Sequence, residues 1–233
     1  PTFPIISAAP RTEALSIVSE RSPESGFQAT LSSWLLDAAQ TAAFNTLCKQ
    51  YGANMQAGIY TALSMTAAQL CGSGDLRFLN PIHTRNELRW GEAAGWFVGI
   101  IPIHLRPQGA ETFREALTAV AASSQDYKQV GAAPFAPIAD LIGGDTTPPG
   151  FVVSYIDLRH AEGAEHWDRR RGRVLRSSTR NADEVYFWIN RVPAGTNISA
   201  RFPTGARADE VHRFISTFHR ILTTVIADGD HAY

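Results

Sequence analysis

A two-layer α/β sandwich, with a mixed sheet and helices mainly on one face, is the fold the sequence predicts. Three observations carry it. Stretches with helical periodicity alternate with short apolar runs of strand length, the pattern of a sheet layered with helices. Near the C-terminus VYFWIN, VPAG and TNISARF follow one another as strand, turn and strand, and a hairpin excludes an all-parallel sheet. The 233 residues, 44% hydrophobic and 18% charged, are enough to bury a real core.

Taken in order, residues 1–26 hold Pro1, Pro4, Pro10, Pro23 and several serines without sustained periodicity, and read as a linker ahead of a folded unit over 27–233. A short strand is expected over Phe27–Leu31. Leu36, Ala39, Ala43, Leu47, Cys48 and Tyr51 then recur at helical spacing up to Gly52. Asn54 can cap a second helix with Ile59, Leu63, Thr66, Ala67 and Leu70 on one face, ended by Gly72. Leu76–His83 reads as extended, and AAGWFVGIIPIHL, residues 93–105, as a further strand with Pro102 at an edge or bulge. A helix follows with Phe113, Leu117, Val120, Ala121 and Ser124 on its inner stripe. Residues 131–150 are rich in Gly and Pro, with one helical turn expected near Ile138–Ile142. Phe151–Leu158 is a β-rich run, the hairpin comes next, and the last helix carries Val211, Phe214, Ile215, Phe218, Ile221, Leu222 and Val225 on one stripe.

Composition excludes several functions. Twenty-one basic and 22 acidic residues give a formal net charge of -1, no electrostatic case for nucleic acid. No apolar run reaches the ~18–20 residues of a spanning helix. Two cysteines, Cys48 and Cys71, rule out a disulfide scaffold and a multi-cysteine zinc site, and read as two buried thiols in a reducing compartment. There is no basic n-region of a secretory signal, so Asn197-Ile-Ser reads as part of a strand rather than a glycosylation site.

The common catalytic signatures are missing. No GxxxxGK loop, no GxGxxG after a strand, no GxSxG and no HExxH appears. His160 and His166 flank acidic residues in HAEGAEH, but their spacing suits no regular element, and a solvated loop is the expectation, with no metal. Arg169, Arg170, Arg171, Arg173, Arg176 and Arg180 crowd one loop. They can grip a carrier-arm or nucleotide phosphate, or lie in solvent partly neutralised by Glu162, Glu165 and Asp168.

The order RFLNPIHTRNELRWGEAAGWFVGIIPIHL, helix, SSQDYKQVGAAPFAPI resembles the C-terminal half of the condensation-domain superfamily. That superfamily includes peptide-synthetase condensation domains, chloramphenicol acetyltransferase and the polyketide-associated acyltransferases. Arg85 matches the family's turn Arg. Gly95, Phe97, Val98, Pro102 and Leu105 match its GxFVNTLPLR strand, and Gln125, Asp126, Tyr127, Pro134 and Phe135 its QDYPFE-like segment. The likeness covers roughly residues 27–228, and the wording FLNPIHTR and WFVGIIPIHL is most similar to actinobacterial polyketide-associated acyltransferases. Three departures stand out: Gly99-Ile100 replaces Asn-Thr, the strand's Arg is shifted to Arg106, and the HHxxxDG motif that carries the family's catalytic histidine is absent.

The resemblance implies a CoA-dependent acyltransferase-like subdomain, preceded by a linker from an N-terminal half that holds the base. It implies transfer of a fatty or polyketide acyl group from acyl-CoA or an acyl-phosphopantetheine carrier to a hydroxyl of a sugar such as trehalose or of a lipid alcohol, in complex lipid biosynthesis. No catalytic residue is expected in this chain, which alone should be inactive, and no bound cofactor. Asn80, His83, Arg85, Gly95, Trp96, Phe97 and Gly99 are expected along the acyl tunnel, and Arg169, Arg170, Arg171 and Arg173 near the carrier. Gly95 and Gly99 allow close backbone approach to a ligand arm, or are packing positions in a buried strand. Partners implied are the N-terminal half, an acyl carrier protein or polyketide synthase, and the acceptor. The expected location is cytoplasmic, with the inner face of the membrane as a second site of action. The alternatives are a peptide-synthetase condensation domain and a non-catalytic module that binds a carrier or lipid.

Overall fold

The computed structural model describes residues 28–85, 87–90, 93, 95, 97–107, 109–130, 150–167, 169 and 184–232. Six strands form one sheet: β1 (Gln28–Asp37), β2 (Leu76–His83), β3 (Val98–Leu105), β4 (Phe151–Asp157), β5 (Val185–Val192) and β6 (Gly195–Pro203). Their order is β1-β6-β5-β4-β2-β3, with β2–β4 and β4–β5 parallel and the other pairs antiparallel. Among the described residues four α-helices, α1 (Ala38–Gln50), α2 (Met55–Cys71), α3 (Phe113–Val130) and α4 (Ala206–Asp228), pack on one another and on the strands as the second layer. The sheet is therefore mixed and the architecture is the predicted sandwich.

Local chemistry sets the helix ends. Asp37 and Gln40 form a reciprocal capping box: Gln40 N–H donates to Asp37 Oδ1 at 2.7 Å and Asp37 N–H to Gln40 Oε1 at 3.0 Å. That box starts α1 at Ala38, and its buried residues are Thr41, Phe44 and Cys48; of the expected stripe Leu36 and Cys48 are buried and Leu47 and Tyr51 pack partly buried against the core, whereas Ala39 and Ala43 are exposed. Asn54 caps α2 by accepting from Ala57 N–H at 2.9 Å, and Gly72 ends it in the left-handed conformation, both as the sequence predicts. The first turn of α3 is closed from the far end of the chain, with Phe113 N–H on His231 O at 2.7 Å and Arg114 N–H on Asp230 Oδ1 at 2.9 Å.

The expectation of a single buried face on α2 does not hold: it is buried on every side from Met55 to Ala67 except the half-buried Gln56. It is the middle of the helix layer, in contact with α1, α3 and α4. Its buried hydroxyls are satisfied by its own turns, Thr61 on Ala57 O at 2.9 Å and Thr66 on Ala62 O at 2.7 Å. Between the layers a run of rings crosses the core. Tyr60 meets Phe78 edge-on at 5.0 Å, Phe78 meets Phe151 at 6.1 Å, and Phe151 meets Phe187 at 5.1 Å and Phe214 at 6.4 Å.

β1 is longer than expected. A bulge between Trp34 and Leu36 turns both Leu35 and Leu36 inward, each 1% exposed, so alternation fails where the sequence would have shown it. β3 is an edge strand, which is why Pro102 is tolerated there. The hairpin runs as read, with Pro193-Ala194 as its turn and Ile198, Ala200 and Phe202 facing the core. Cys48 is buried, whereas Cys71 is only half-buried, and both are free. The turn near Ile138–Ile142, the linker 1–26 as a whole, and Pro134 and Phe135 lie outside the described residues. No helix among the described residues is long and apolar enough to cross a membrane.

The contact of α1 with α2 depends on Gly58, where an added Cβ would stand 2.3 Å from Cys48 Sγ and 3.0 Å from the Phe44 ring. Gly58→Ala should therefore destabilise the chain by about 1–3 kcal/mol. Chemical denaturation checks this, and the loss should shrink when Cys48→Ala removes the sulfur; equal losses in both backgrounds would refute the close contact as its cause.

Candidate functional site

Residues 93–105 contribute two things. Ahead of β3 they close a small cluster: Arg85 Nη2 donates to Ala93 O at 3.0 Å, its guanidinium lies 4.6 Å above the Phe97 ring, and Trp90 packs against Phe97 at 6.2 Å. Thr84 N–H donates to Phe97 O at 2.9 Å and continues the pairing past the strand end. Gly95 sits at φ 154°, and a Cβ there would press 3.0 Å from the Phe97 ring, so the cluster needs glycine. Of the residues expected along a tunnel, then, Arg85, Gly95 and Phe97 are brought together.

The others go elsewhere. Asn80 points into the helix layer, its oxygen accepting from Tyr60 Oη at 3.0 Å and its nitrogen donating to Val153 O at 3.2 Å. Its neighbour Tyr60 is held well above the ordinary phenol range by burial. His83 ends β2 exposed, paired with Val98, and Gly99 is half-buried opposite Ile82. Trp96, Arg170, Arg171 and Arg173 lie outside the described residues, and Arg169 is exposed. His166 contacts Glu165 at 3.3 Å, and no three metal-binding side chains converge among the described residues.

Within β3 itself, alternate residues build the second feature. Ile101, Ile103 and Leu105 face the helices, so Val98, Ile100 and Pro102 face the other way. The same alternation puts Ile156 of β4 and Trp34 of β1 on that open face. Trp34, Val98, Ile100 and Ile156 are 37–40% exposed, three of them on the edge strands β1 and β3, so large apolar side chains meet solvent on the sheet face opposite the helices, chiefly toward its edges. Sequence reasoning missed Trp34 and Ile156 because neither stands near the motif-bearing stretch.

Electrostatics concentrate at two ends of the sheet. At one, Asp75, His104, Arg77 and Arg106 converge, with His104 Nε2 2.5 Å from Asp75 Oδ1 and 2.8 Å from Arg106 Nε. Burial lowers the His104 pKa and the Asp75 carboxylate opposes it. At the other, Arg159 grips Asp157 with two bonds of 2.8 Å, and the buried Arg191 reaches it at 3.5 Å while donating to Asn45 Oδ1 on α1 at 3.1 Å. Burial alone would raise the Asp157 carboxyl; the Arg159 bonds and the two guanidinium charges outweigh it and hold the group below its ordinary 3.8. A depressed carboxyl stabilises the fold at pH above its unfolded value, and that contribution is lost as pH falls through the folded one. Asp157→Asn should therefore flatten the fall in stability between about pH 5 and pH 2 measured by denaturant titration; an unchanged pH profile would refute the assignment.

A two-layer mixed sandwich with the glycine-aromatic strand at its edge is the class of the acyl-transferring condensation domains, and the condensation-domain family model matches residues 6–232. The chain belongs to that family. It is 28% identical over 203 residues to the acyltransferase PapA3 of Mycobacterium tuberculosis H37Rv, covering 84% of this chain and 42% of that protein. It is 24% identical over 205 residues to the trehalose-2-sulfate acyltransferase PapA2 of the same strain, covering 85% and 43%. Among solved structures, a PapA2 acyl transferase superposes with a TM-score of 0.75 at 22% identity, over 97% of this chain and 48% of that one. The condensation domain of the polyketide synthase MokA superposes at 0.70, with 15% identity over 92% and 52%. The chain thus spans less than half the length of the curated relatives it matches.

Proposed function

We propose that this chain is one half, the C-terminal one, of an acyltransferase that moves a fatty or polyketide acyl group from a thioester, on CoA or a carrier protein, to a hydroxyl of a sugar or lipid alcohol. The observation that carries it is the open sheet face. Val98, Ile100 and Ile156 are side chains of a core, yet they stand in solvent on the side that no helix among the described residues covers. A second half lying over this face would enclose a channel with one aliphatic wall, suited to an acyl chain. The Arg85–Phe97–Trp90 cluster lies just past the end of β2 and β3, next to Val98.

The division of labour is chemical. Transfer to a hydroxyl needs a base positioned on the nucleophile, and no histidine among the described residues combines an open position on this face with an acidic residue that orients it: His83 is open but has no such partner, and His104 is tied to Asp75 and two arginines. The base is therefore supplied by the complementary half, through the HHxxxDG motif of the family. The sequence likeness to two acyltransferases, one of them named for a trehalose sulfate, favours a hydroxyl over the amine used by peptide-synthetase relatives.

The test supplies a long-chain acyl-CoA and trehalose to residues 1–233 alone and to the chain joined to a half carrying HHxxxDG. Ester should form only in the joined protein, at least about a hundredfold above the isolated chain, the usual contribution of a general base. Ester formation by the isolated chain, or acylation of amines but not hydroxyls by the joined one, would overturn the reading.

A further inference from the structure

One row of side chains crosses the sheet face opposite the described helices. In register it runs Trp34 on β1, Asn197 on β6, Asn190 on β5 and Ile156 on β4. The flanking Trp34 and Ile156 are about 40% exposed, whereas Asn190 is 1% and Asn197 9% exposed. Asn190 Nδ2 donates to Asn197 Oδ1 at 3.1 Å, and that bond uses one end of each amide. The other ends, Asn190 Oδ1 and Asn197 Nδ2, are buried without a hydrogen-bond partner among the described residues. Turning both amides over exchanges the roles and still leaves one acceptor and one donor free.

Such a pair is complementary to a group that donates and accepts at once. A hydroxyl does both through a single atom, and the surroundings select it over an amide. One step along the same face Ser32 and Ser199 share a hydrogen bond of 3.0 Å, and Tyr186 and Trp188 stack at 3.8 Å. Hydroxyls, amides and flat rings over β1, β6 and β5 are the chemistry that holds a polyhydroxylated ring, with its O–H groups paired and its C–H face on an aromatic. Across Ile156 the face turns aliphatic, with Ile100 and Val98. The open face is therefore divided, polar and aromatic on one side and aliphatic on the other.

We infer that Asn190 and Asn197, beside Trp34, form the subsite for the hydroxylated acceptor, and that an acceptor hydroxyl completes their free acceptor and donor. The inference deepens the proposed acyl transfer and rests on it for the identity of the ligand, but its test needs no turnover.

The probe is trehalose, titrated into residues 1–233 while the side-chain NH2 resonances of Asn190 and Asn197 are followed by 15N NMR, with N-methylacetamide, which has an amide and no hydroxyl, as the control. Trehalose should shift both NH2 pairs and the Trp34 indole N–H, saturably, and N-methylacetamide should not. In Asn190→Val/Asn197→Val both amides leave together, so no polar atom is stranded. This variant should keep the wild-type melting temperature within a few degrees and bind trehalose at least tenfold more weakly. Undisturbed amide resonances at saturating trehalose would overturn the inference, because the pair then holds only a structural water. So would shifts with N-methylacetamide alone, or unchanged trehalose affinity in the folded variant. Failure of ester formation in the joined protein, with these shifts intact, would instead strike the acyl-transfer reading.

Discussion

Two parallel pairings, β2 with β4 and β4 with β5, constrain everything else in this molecule. Parallel strands cannot be joined by a tight turn, so the chain between them crosses a sheet face, and parallel sheets are stable when both faces are covered. Here the four helices form a single layer. Phe78, Phe151 and Phe187 are fully buried against α2 and α4 on that side. On the other side β4 still carries the sequence of a core strand, with Val152 6% exposed beside Ile156 at 39%. Among the described residues the sheet therefore carries helices on one face only.

Much of this was legible in the sequence. Where a cap coincides with a periodic stripe, as at Asn54 and Gly72 or along Val211–Val225, helix bounds and buried residues follow directly from side-chain chemistry. The hairpin was equally plain, because its alternation on Ile198, Ala200 and Phe202 is uninterrupted. On α1 only the alanines of the stripe mislead: alanine has high helix propensity on either face, so Ala39 and Ala43, both exposed, say nothing about which side is inward. β1 was cut short because its bulge puts two leucines inward in succession.

The site was legible only in part, for a reason of geometry. Arg85, Gly95 and Phe97 are close in sequence and meet through one hairpin. Asn80 lies, by the period-2 rule, on the opposite face from Pro81 and Leu79, where Tyr60 takes it up. Which face is open depends on where the helices lie, and that is a long-range fact. The asparagine pair was invisible for the same reason: its meaning comes from register across β1, β6, β5 and β4, and Asn197 by itself looked only like a strand residue inside a formal sequon.

The asparagines also show why stability and function must be separated on this face. A buried polar group left unpaired costs about 1–3 kcal/mol, and a matched apolar pair at the same two positions would avoid that cost. Buried Thr41 and Thr196 bond to each other at 3.0 Å on the helix side, where polarity is contained. Arg191, 6% exposed, is likewise tied to Asn45 and Asp157 although its Nε stays free. Asn190 and Asn197 differ because the free donor and acceptor stand in one row between half-exposed Trp34 and Ile156, on the face that no helix among the described residues covers. A sheet selected for stability alone would place valine or isoleucine there, as β4 does at Val152 on the same face. The retained amides are best explained by something that arrives from outside the helix layer and completes them.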